Sequence, residues 1–503
     1  MAAWLPACAA FLLGVVTVFG FAPFGVWALP VLTLAGLFAL WRSAARPRAA
    51  AWIGFAFGVG LFAAGASWVY VALSTFGEMP ALLAAIATVV FCTYLALFPA
   101  LAGWCSARFA PASGLRLALA PAAWTIAEWL RSWLLSGFPW LSLGYSGRVA
   151  AVSGYAPIGG VFLLSFVIAA SAALLVHATL ALEARRWSAA AIDAAAFAVL
   201  AAGGAALSAI EWSRPAGEPL AVSLVQGNID QDIKFDPAYR DNSLRIYADL
   251  VARAKGWLIV LPESALPMFA DEVPAEYIAG LREHLHGRGA DLLFGLFFFE
   301  PRTSADSDDR YFNSVVSIGN STTQVYRKHH LVPFGETIPA KPLFGWFIRS
   351  VLHIPLADQT PGPEFQEAFA VAGERVAVNI CYEDAFGSEI KRRAAEATML
   401  VNVTNDAWYG RSLAAEQHEQ IAAMRALETA RPMLRATNTG ITSIIDHRGS
   451  EIARLPWFTR DVLERSIAGR TGLTPYVRFG DAPVVVVALL AIAVVVLLGR
   501  RRR

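Results

Sequence analysis

Val376-Ala377-Val378-Asn379-Ile380-Cys381-Tyr382-Glu383-Asp384 is an apolar, largely β-branched run that stops at a thiol and turns polar at once. Such a run suits a buried strand, and the polar residues after Cys381 suit a tight turn into a helix opening near Gly387. A strand that feeds a helix through a short turn is the unit of an α/β domain, in which helices cover the faces of a sheet. Outward from this run the alternation continues. Strands are predicted over Leu220–Gln226, Trp257–Leu261, Asp291–Phe299, Ser314–Ile318, Thr323–Arg327, Val376–Ile380, Met399–Val403 and Thr442–Asp446. Helices are predicted over Pro237–Ala254, Pro274–Gly287, Ser388–Ala397 and Leu413–Arg431, while Thr303–Arg310 and Pro361–Glu367 read as loops.

Toward the N-terminus the composition changes. Residues 1–210 hold 4 acids (Glu78, Glu128, Glu183, Asp193) and 9 bases, all Arg, in a chain with 41 Lys+Arg and 39 Asp+Glu overall. With a mean hydropathy of +0.50, the chain joins a soluble domain of ordinary composition to a membrane part. A membrane-crossing helix needs about 20 apolar residues. Eight candidate spans lie near 5–21, 25–41, 51–73, 80–104, 115–135, 157–181, 188–210 and 483–499. Arg42/Arg46/Arg48, Arg108/Arg116, Arg185/Arg186 and Arg500–Arg503 fall at every second loop, which marks those loops as cytoplasmic.

The predicted organisation is therefore a transmembrane domain of seven helices (1–210), a soluble domain (211–481) and a C-terminal helix with a cytoplasmic Arg tail (482–503). With both ends inside, the soluble domain lies on the outer face, which in a Gram-negative cell is the periplasmic side of the inner membrane. A cleaved signal peptide at the first span is the alternative, although it lacks the usual N-terminal positive charge. Gly54, Gly58, Gly60 and Gly65 would allow helices to pack closely. Glu128 and Arg131, one helical turn apart, either neutralise each other or free Arg131 to face a lipid phosphate, with Trp140 and Tyr145 anchoring the interface. A transporter would carry more polar groups than these along its spans. Four cysteines in 503 residues exclude a disulfide scaffold, and a net charge of +2 offers no case for a nucleic-acid partner.

Three residue types carry the chemical argument. Cys8, Cys92 and Cys105 lie in predicted spans, so Cys381 is alone in its domain, either a small buried hydrophobe or a reactive nucleophile. A strand-to-helix turn favours the nucleophile, and a helix N-terminus nearby would lower the thiol pKa. Lysine is scarce, only 5 against 36 Arg. Lys328 ends a strand-like run, and beside a cysteine it could hold an oxyanion; the alternative is a solvated surface lysine. Its neighbours His329 and His330 point to opposite faces of a strand, so they cannot chelate one metal together. Glu263 ends the run Trp257–Pro262; a carboxylate at an apolar strand tip is partly desolvated, which suits a general base, whereas a capping or ion-pair role is the competing reading.

Pro262-Glu263-Ser264, Arg327-Lys328-His329 and Asn379-Ile380-Cys381-Tyr382-Glu383 resemble, in that order, the Glu-Lys-Cys triad of the nitrilase superfamily. Val225-Gln226-Gly227-Asn228, Leu331-Val332-Pro333-Phe334-Gly335-Glu336 and Asn405-Asp406-Ala407-Trp408-Tyr409-Gly410 narrow the resemblance to the membrane-anchored apolipoprotein N-acyltransferase family. The resemblance implies an αββα sandwich beside a polytopic helical membrane domain, with Glu263 as base, Lys328 as oxyanion partner and Cys381 as nucleophile. It implies supporting roles for Glu336, Tyr382, Glu383 and Trp408, and no cofactor or metal. The implied partners are a phospholipid acyl donor, a diacylated apolipoprotein acceptor and the bilayer itself. The implied reaction passes the acyl chain through a cysteine thioester; a membrane-tethered carbon–nitrogen hydrolase is the alternative. Thr337 and Phe235 depart from the family pattern, where an aromatic and a Trp are usual. Leu343–Ile348, an apolar stretch, reads either as a loop dipping into lipid or as a buried helical turn.

Overall fold

A computed structural model describes residues 4–110, 113–301, 309–337 and 358–501. Leu343–Ile348 and most of the predicted 303–310 loop lie outside the described residues. The chain divides into two compact units, one of residues 1–70, 82–211 and 478–503, the other of 71–81 and 212–477. Residues 71–81 thus group with the second unit, although the sequence reading assigns them to the membrane domain.

The first unit is helical. Its apolar segments form helices over Leu5–Thr17, Ala28–Ser43, Pro47–Gly65, Ala81–Phe109, Ser113–Arg131, Ala156–Glu183, Trp187–Ser208 and Ala482–Arg501. Among the described residues five helices are long and apolar enough to cross a membrane: Pro47–Gly65, Ala81–Phe109, Ala151–Glu183, Trp187–Ser208 and Ala482–Gly499. This is fewer than the eight spans expected. Leu5–Gly20 and Ala28–Ser43 are apolar but shorter. Ser113–Arg131 carries Arg116, Glu128 and Arg131 along an otherwise apolar helix. The glycines act where backbones approach: a Cβ on Gly58 would lie 2.7 Å from Ala96 Cα, and one on Gly54 would strike the Pro99 carbonyl.

The second unit is a four-layer sandwich. One sheet runs, edge to edge, Asp461–Ile467, Leu220–Gln226, Leu258–Val260, Asp291–Glu300, Arg310–Gly319 and Val325–Arg327. The other runs Glu451–Arg454, Ser443–Ile445, Met433–Thr437, Met399–Thr404, Glu374–Ile380 and Phe369–Val371. Each sheet has parallel pairs at its centre and antiparallel strands toward its edges.

The period-2 alternation of a strand accounts for the layers. Val222, Leu224, Leu258 and Val260 of the first sheet pack on Val376, Val378, Ile380, Met399, Val401 and Val403 of the second. On the opposite face, Val225, Ile259 and Leu292 meet Leu244 and Leu250 of helix Arg240–Arg253 and Leu281 of helix Ala275–His286. Ala377, Leu400 and Met433 likewise meet Ile390 of helix Gly387–Ala394 and Ala422 and Ala426 of helix Ala414–Thr429.

Four strands of the two six-stranded sheets escape the sequence reading: Phe369–Val371, Met433–Thr437, Glu451–Arg454 and Asp461–Ile467. Met433–Thr437 is central and fully buried, yet Arg435 interrupts its apolar pattern and hides it. Asp461–Ile467 is an edge strand whose apolar residues are interrupted by Asp461, Glu464 and Arg465, and edge strands commonly carry such charges.

Leu224 is fully buried between the sheets. Leu224→Ala is expected to destabilise the second unit by about 2–5 kcal/mol, measured as an earlier cooperative melt of the full chain in detergent.

Candidate active site

The two sheets bring three groups together at one end of the sandwich. Glu263 leaves the Leu258–Val260 strand through Pro262 and is followed by Ser264 in the left-handed region, at φ 49°. Gly295 on the neighbouring strand permits this path, because a Cβ there would lie 2.9 Å from Glu263 Cα and closer still to Ser264 N. Lys328 follows Val325–Arg327 at the far edge of the same sheet, its N–H donating to Asn313 O at 2.8 Å. Cys381 ends the Glu374–Ile380 strand of the second sheet with φ 51°, a left-handed elbow rarely taken by a non-glycine residue.

The Glu263 carboxylate is held from both sheets. Asn313 Nδ2 donates to Oε1 at 2.7 Å and Asn405 N donates to Oε2 at 2.9 Å. Lys328 Nζ lies 3.5 Å from Glu263 Oε1 and 2.6 Å from Glu336 Oε1. Glu336 is fixed in turn by Val332 N, which donates to Oε2 at 2.9 Å. Burial opposes the charge of Lys328, but Glu336 and then Glu263 outweigh it and keep the ammonium charged far above neutral pH.

The thiol departs from expectation. Burial pushes the Cys381 pKa well above that of an ordinary cysteine, and the Glu263 charge adds to the rise, whereas Lys328 opposes it. The helix expected from sequence does open at Gly387, but a five-residue 3-10 segment, Cys381–Ala385, separates it from the sulfur, and burial outweighs any help from its N-terminus. At rest the site therefore holds a neutral thiol coupled electrostatically to a carboxylate and an ammonium. Such a set can deprotonate the sulfur at the moment of attack and stabilise an oxyanion.

Glu383 joins the two halves. Its Oε1 accepts from Tyr326 Oη at 2.8 Å, His329 N at 2.8 Å and His330 N at 3.2 Å, and its Oε2 accepts from Ile380 N at 2.7 Å. It thus ties the residues flanking Lys328 to the strand end that presents Cys381. Tyr382 is buried edge-on against Phe386 and near His330. Trp408 is half-buried on the Asp406–Tyr409 turn, edge-on to Phe76 at 6.2 Å. His329 Nδ1 lies 2.8 Å from Gly362 O, and His330 stacks on Phe386 and bonds Glu389.

Arg131 belongs to the helical unit and is buried there. It donates to the carbonyls of Phe138 and Trp140 and, at 3.0 Å, to Ser142 Oγ, and its guanidinium sits over the Phe62 ring. Trp140 and Tyr145 are buried too. That is an inward placement, different from the lipid-facing one considered from sequence.

Several residues at the site were not singled out by sequence. Lys234 is buried and donates to the Glu263 carbonyl at 3.1 Å; burial lowers its pKa to about 8 against the pull of Glu263 and Cys381. Asn313 and Gly295 carry no recognisable signal alone, because their roles come from strand register, and Asn405 opens the Asn405–Gly410 motif although its hold on Glu263 is visible only in the fold. Gln226 of the Gln-Gly-Asn motif bonds the carbonyls of Pro456 and Thr459.

A thiol on a strand-end elbow, with a carboxylate and an ammonium converging on it in an αββα sandwich, defines a domain of the carbon–nitrogen hydrolase class. Residues 221–476 match the carbon-nitrogen hydrolase family, and residues 13–174 match the apolipoprotein N-acyltransferase N-terminal domain. The chain is 48% identical to an apolipoprotein N-acyltransferase of Nitrosomonas europaea over 98% of both chains. It is 45% identical to one of Ralstonia nicotianae, covering 98% of this chain and 93% of the relative, and 42% identical to one of Chromobacterium violaceum, covering 98% and 94%. The chain belongs to the apolipoprotein N-acyltransferase family.

Gly295→Ala is expected to displace Glu263 and slow covalent capture of an acyl ester by Cys381 by about tenfold or more, followed by intact-protein mass spectrometry.

Proposed function

We propose that this membrane protein completes lipoprotein maturation by moving an acyl chain from a phospholipid to the N-terminal amine of an S-diacylglyceryl-cysteine. The observation that carries the mechanism is the neutral, buried thiol of Cys381 within electrostatic reach of both the Glu263 carboxylate and the Lys328 ammonium, which lie 3.5 Å apart. Glu263 takes the thiol proton as sulfur attacks the ester carbonyl, and Lys328 stabilises the oxyanion. Collapse expels the lysophospholipid alkoxide, which recovers the proton from Glu263, and a thioester remains on Cys381. The acceptor amine then attacks the thioester carbonyl, and Glu263 takes a proton from the nitrogen. Collapse breaks the C–S bond; the departing sulfur regains its proton, and the acyl chain leaves as an amide. Glu336 holds Lys328 in place, Glu383 and Tyr382 support the elbow, and Trp408 lines the approach to it.

Both substrates are lipids, and each CH2 drawn into water costs about 0.8 kcal/mol, so a catalyst anchored in the bilayer avoids most of that extraction. The apolar helices support such anchoring. In this reading the chain makes eight crossings of the inner membrane, with segments 1–210 and 482–503 embedded and residues 211–481 in the periplasm. Burial of the thiol also keeps water from the thioester, which favours transfer to an amine over hydrolysis.

Purified protein given phospholipid alone is expected to accumulate one acyl adduct on Cys381, visible by mass spectrometry and absent from Cys381→Ala. Glu263→Ala and Lys328→Ala are each expected to lower adduct formation by about a hundredfold or more, with Arg327→Ala affected far less. A diacylated lipopeptide should then discharge the adduct as an amide; discharge as free fatty acid would instead establish the hydrolase. The raised thiol pKa sets a sign for pH dependence. Alkylation of Cys381 should keep accelerating above about pH 10, where an ordinary cysteine of pKa about 8.5 has levelled off. A rate profile with its midpoint at about pH 8.5 would contradict the burial effect.

A further inference from the structure

Beneath the elbow lies a buried charge cluster for which the mechanism above has no use. His418, on helix Ala414–Thr429, has Nδ1 2.8 Å from Asp406 Oδ1 and Nε2 3.0 Å from Asp384 Oδ1 and 3.3 Å from the Cys381 carbonyl oxygen. Arg435 donates to Asp406 Oδ2 at 2.8 Å and to Asn402 Oδ1 at 2.7 Å, and lies 3.4 Å from Asp384 Oδ2. Asn402 Nδ2 donates to the same Cys381 carbonyl at 3.1 Å. All of these side chains are buried, none more than 2% exposed.

We propose that His418 is a doubly protonated positioning residue whose imidazolium, caged by Asp384 and Asp406, clamps the Cys381 carbonyl and so sets the geometry of the nucleophile elbow. The inference rests on the reading of Cys381 as nucleophile. The protonation follows from the partners. A carbonyl oxygen can only accept, so Nε2 carries hydrogen. Asp406 is held in its charged form against burial by His418 and Arg435, so Nδ1 carries hydrogen as well. Burial and Arg435 work against the imidazolium, but Asp384 and Asp406 prevail and raise the His418 pKa to about 9. Two cations and two carboxylates then balance, which is how a buried charge group escapes the cost of isolation.

The consequence for chemistry comes through the peptide that follows Cys381. A trans peptide is planar, with its C=O and N–H on opposite sides, so a carbonyl clamped toward His418 aims the Tyr382 N–H away from the cage. The clamp also fixes Cys381 in its left-handed conformation, which the chain would otherwise relax. The three residues that make it converge from different elements: Asn402 from the adjacent strand, His418 from the covering helix and Asp384 from the turn itself.

The test separates acyl transfer, which builds an oxyanion on the substrate, from alkylation by iodoacetamide, which needs only the sulfur. In the full-length protein in detergent, His418→Gln is expected to lower the rate of Cys381 acylation by phospholipid at least tenfold while leaving the iodoacetamide rate within about twofold. Acylation that is unchanged, or a parallel fall in both rates, would overturn the inference. If His418→Gln does not fold, 15N-histidine spectra of wild-type protein at pH 7.5 decide the matter. Two nitrogen-bound protons on His418 support the clamp, and a neutral imidazole sinks it. A wild-type protein that forms no acyl adduct would overturn the nucleophile reading itself, and this inference with it. A normal wild-type adduct beside an unaffected variant would overturn the inference alone.

Discussion

Four donors hydrogen-bonded to one buried carboxylate hold the catalytic end of the sandwich together. Glu383 accepts from Ile380 N at the tip of one sheet and from Tyr326 Oη, His329 N and His330 N around the last strand of the other. A carboxylate is among the few side chains able to accept this many bonds, and each donor it satisfies would cost about 1–3 kcal/mol if left buried and unpaired. The result is a fixed distance between two strand ends that no covalent bond connects. The Asn405 N–H performs the same service for Glu263, reaching from the second sheet to a carboxylate carried by the first.

Electrostatics at this end are arranged in two tiers. In the upper tier a neutral thiol, two lysines and two glutamates lie close together, so a proton that leaves sulfur has a nearby destination. The lower tier is balanced, with His418 and Arg435 set against Asp384 and Asp406. A reactive tier resting on an inert one is physically sensible. Buried charge that is paired on all sides resists rearrangement, and the elbow above it must keep a backbone conformation that is locally unfavourable.

Much of this could be read in the amino-acid order. Strand periodicity located Leu220–Gln226 and Val376–Ile380, and a lone cysteine in an otherwise cysteine-free domain pointed to Cys381. The scarcity of lysine drew attention to Lys328, and Lys234 stood in the same short set without its role being apparent. Met433–Thr437 was hidden because its central arginine looks like a surface residue until Asp384 and Asp406 are seen beside it. The thiol pKa was misjudged for a related reason. Sequence indicates which residue follows a strand, whereas the balance between burial and a helix dipole depends on everything packed around the sulfur.

The order of residues by itself determined what is local or compositional: an apolar helical half, an α/β half, and the base, oxyanion-partner and nucleophile candidates, because periodicity and charge density are properties of a segment. Tertiary structure alone decided which of these meet. Glu263 and Lys328 come from one sheet and Cys381 from the other, and their approach depends on sheet-to-sheet packing and on a glycine at position 295 that removes a Cβ from the path of Glu263. It also turned Arg131 inward onto protein carbonyls and gathered Asp384, Asp406, His418 and Arg435 into a charged cage that no one segment reveals. Interactions between residues tens or hundreds of positions apart are set by the folded geometry, which no local pattern encodes.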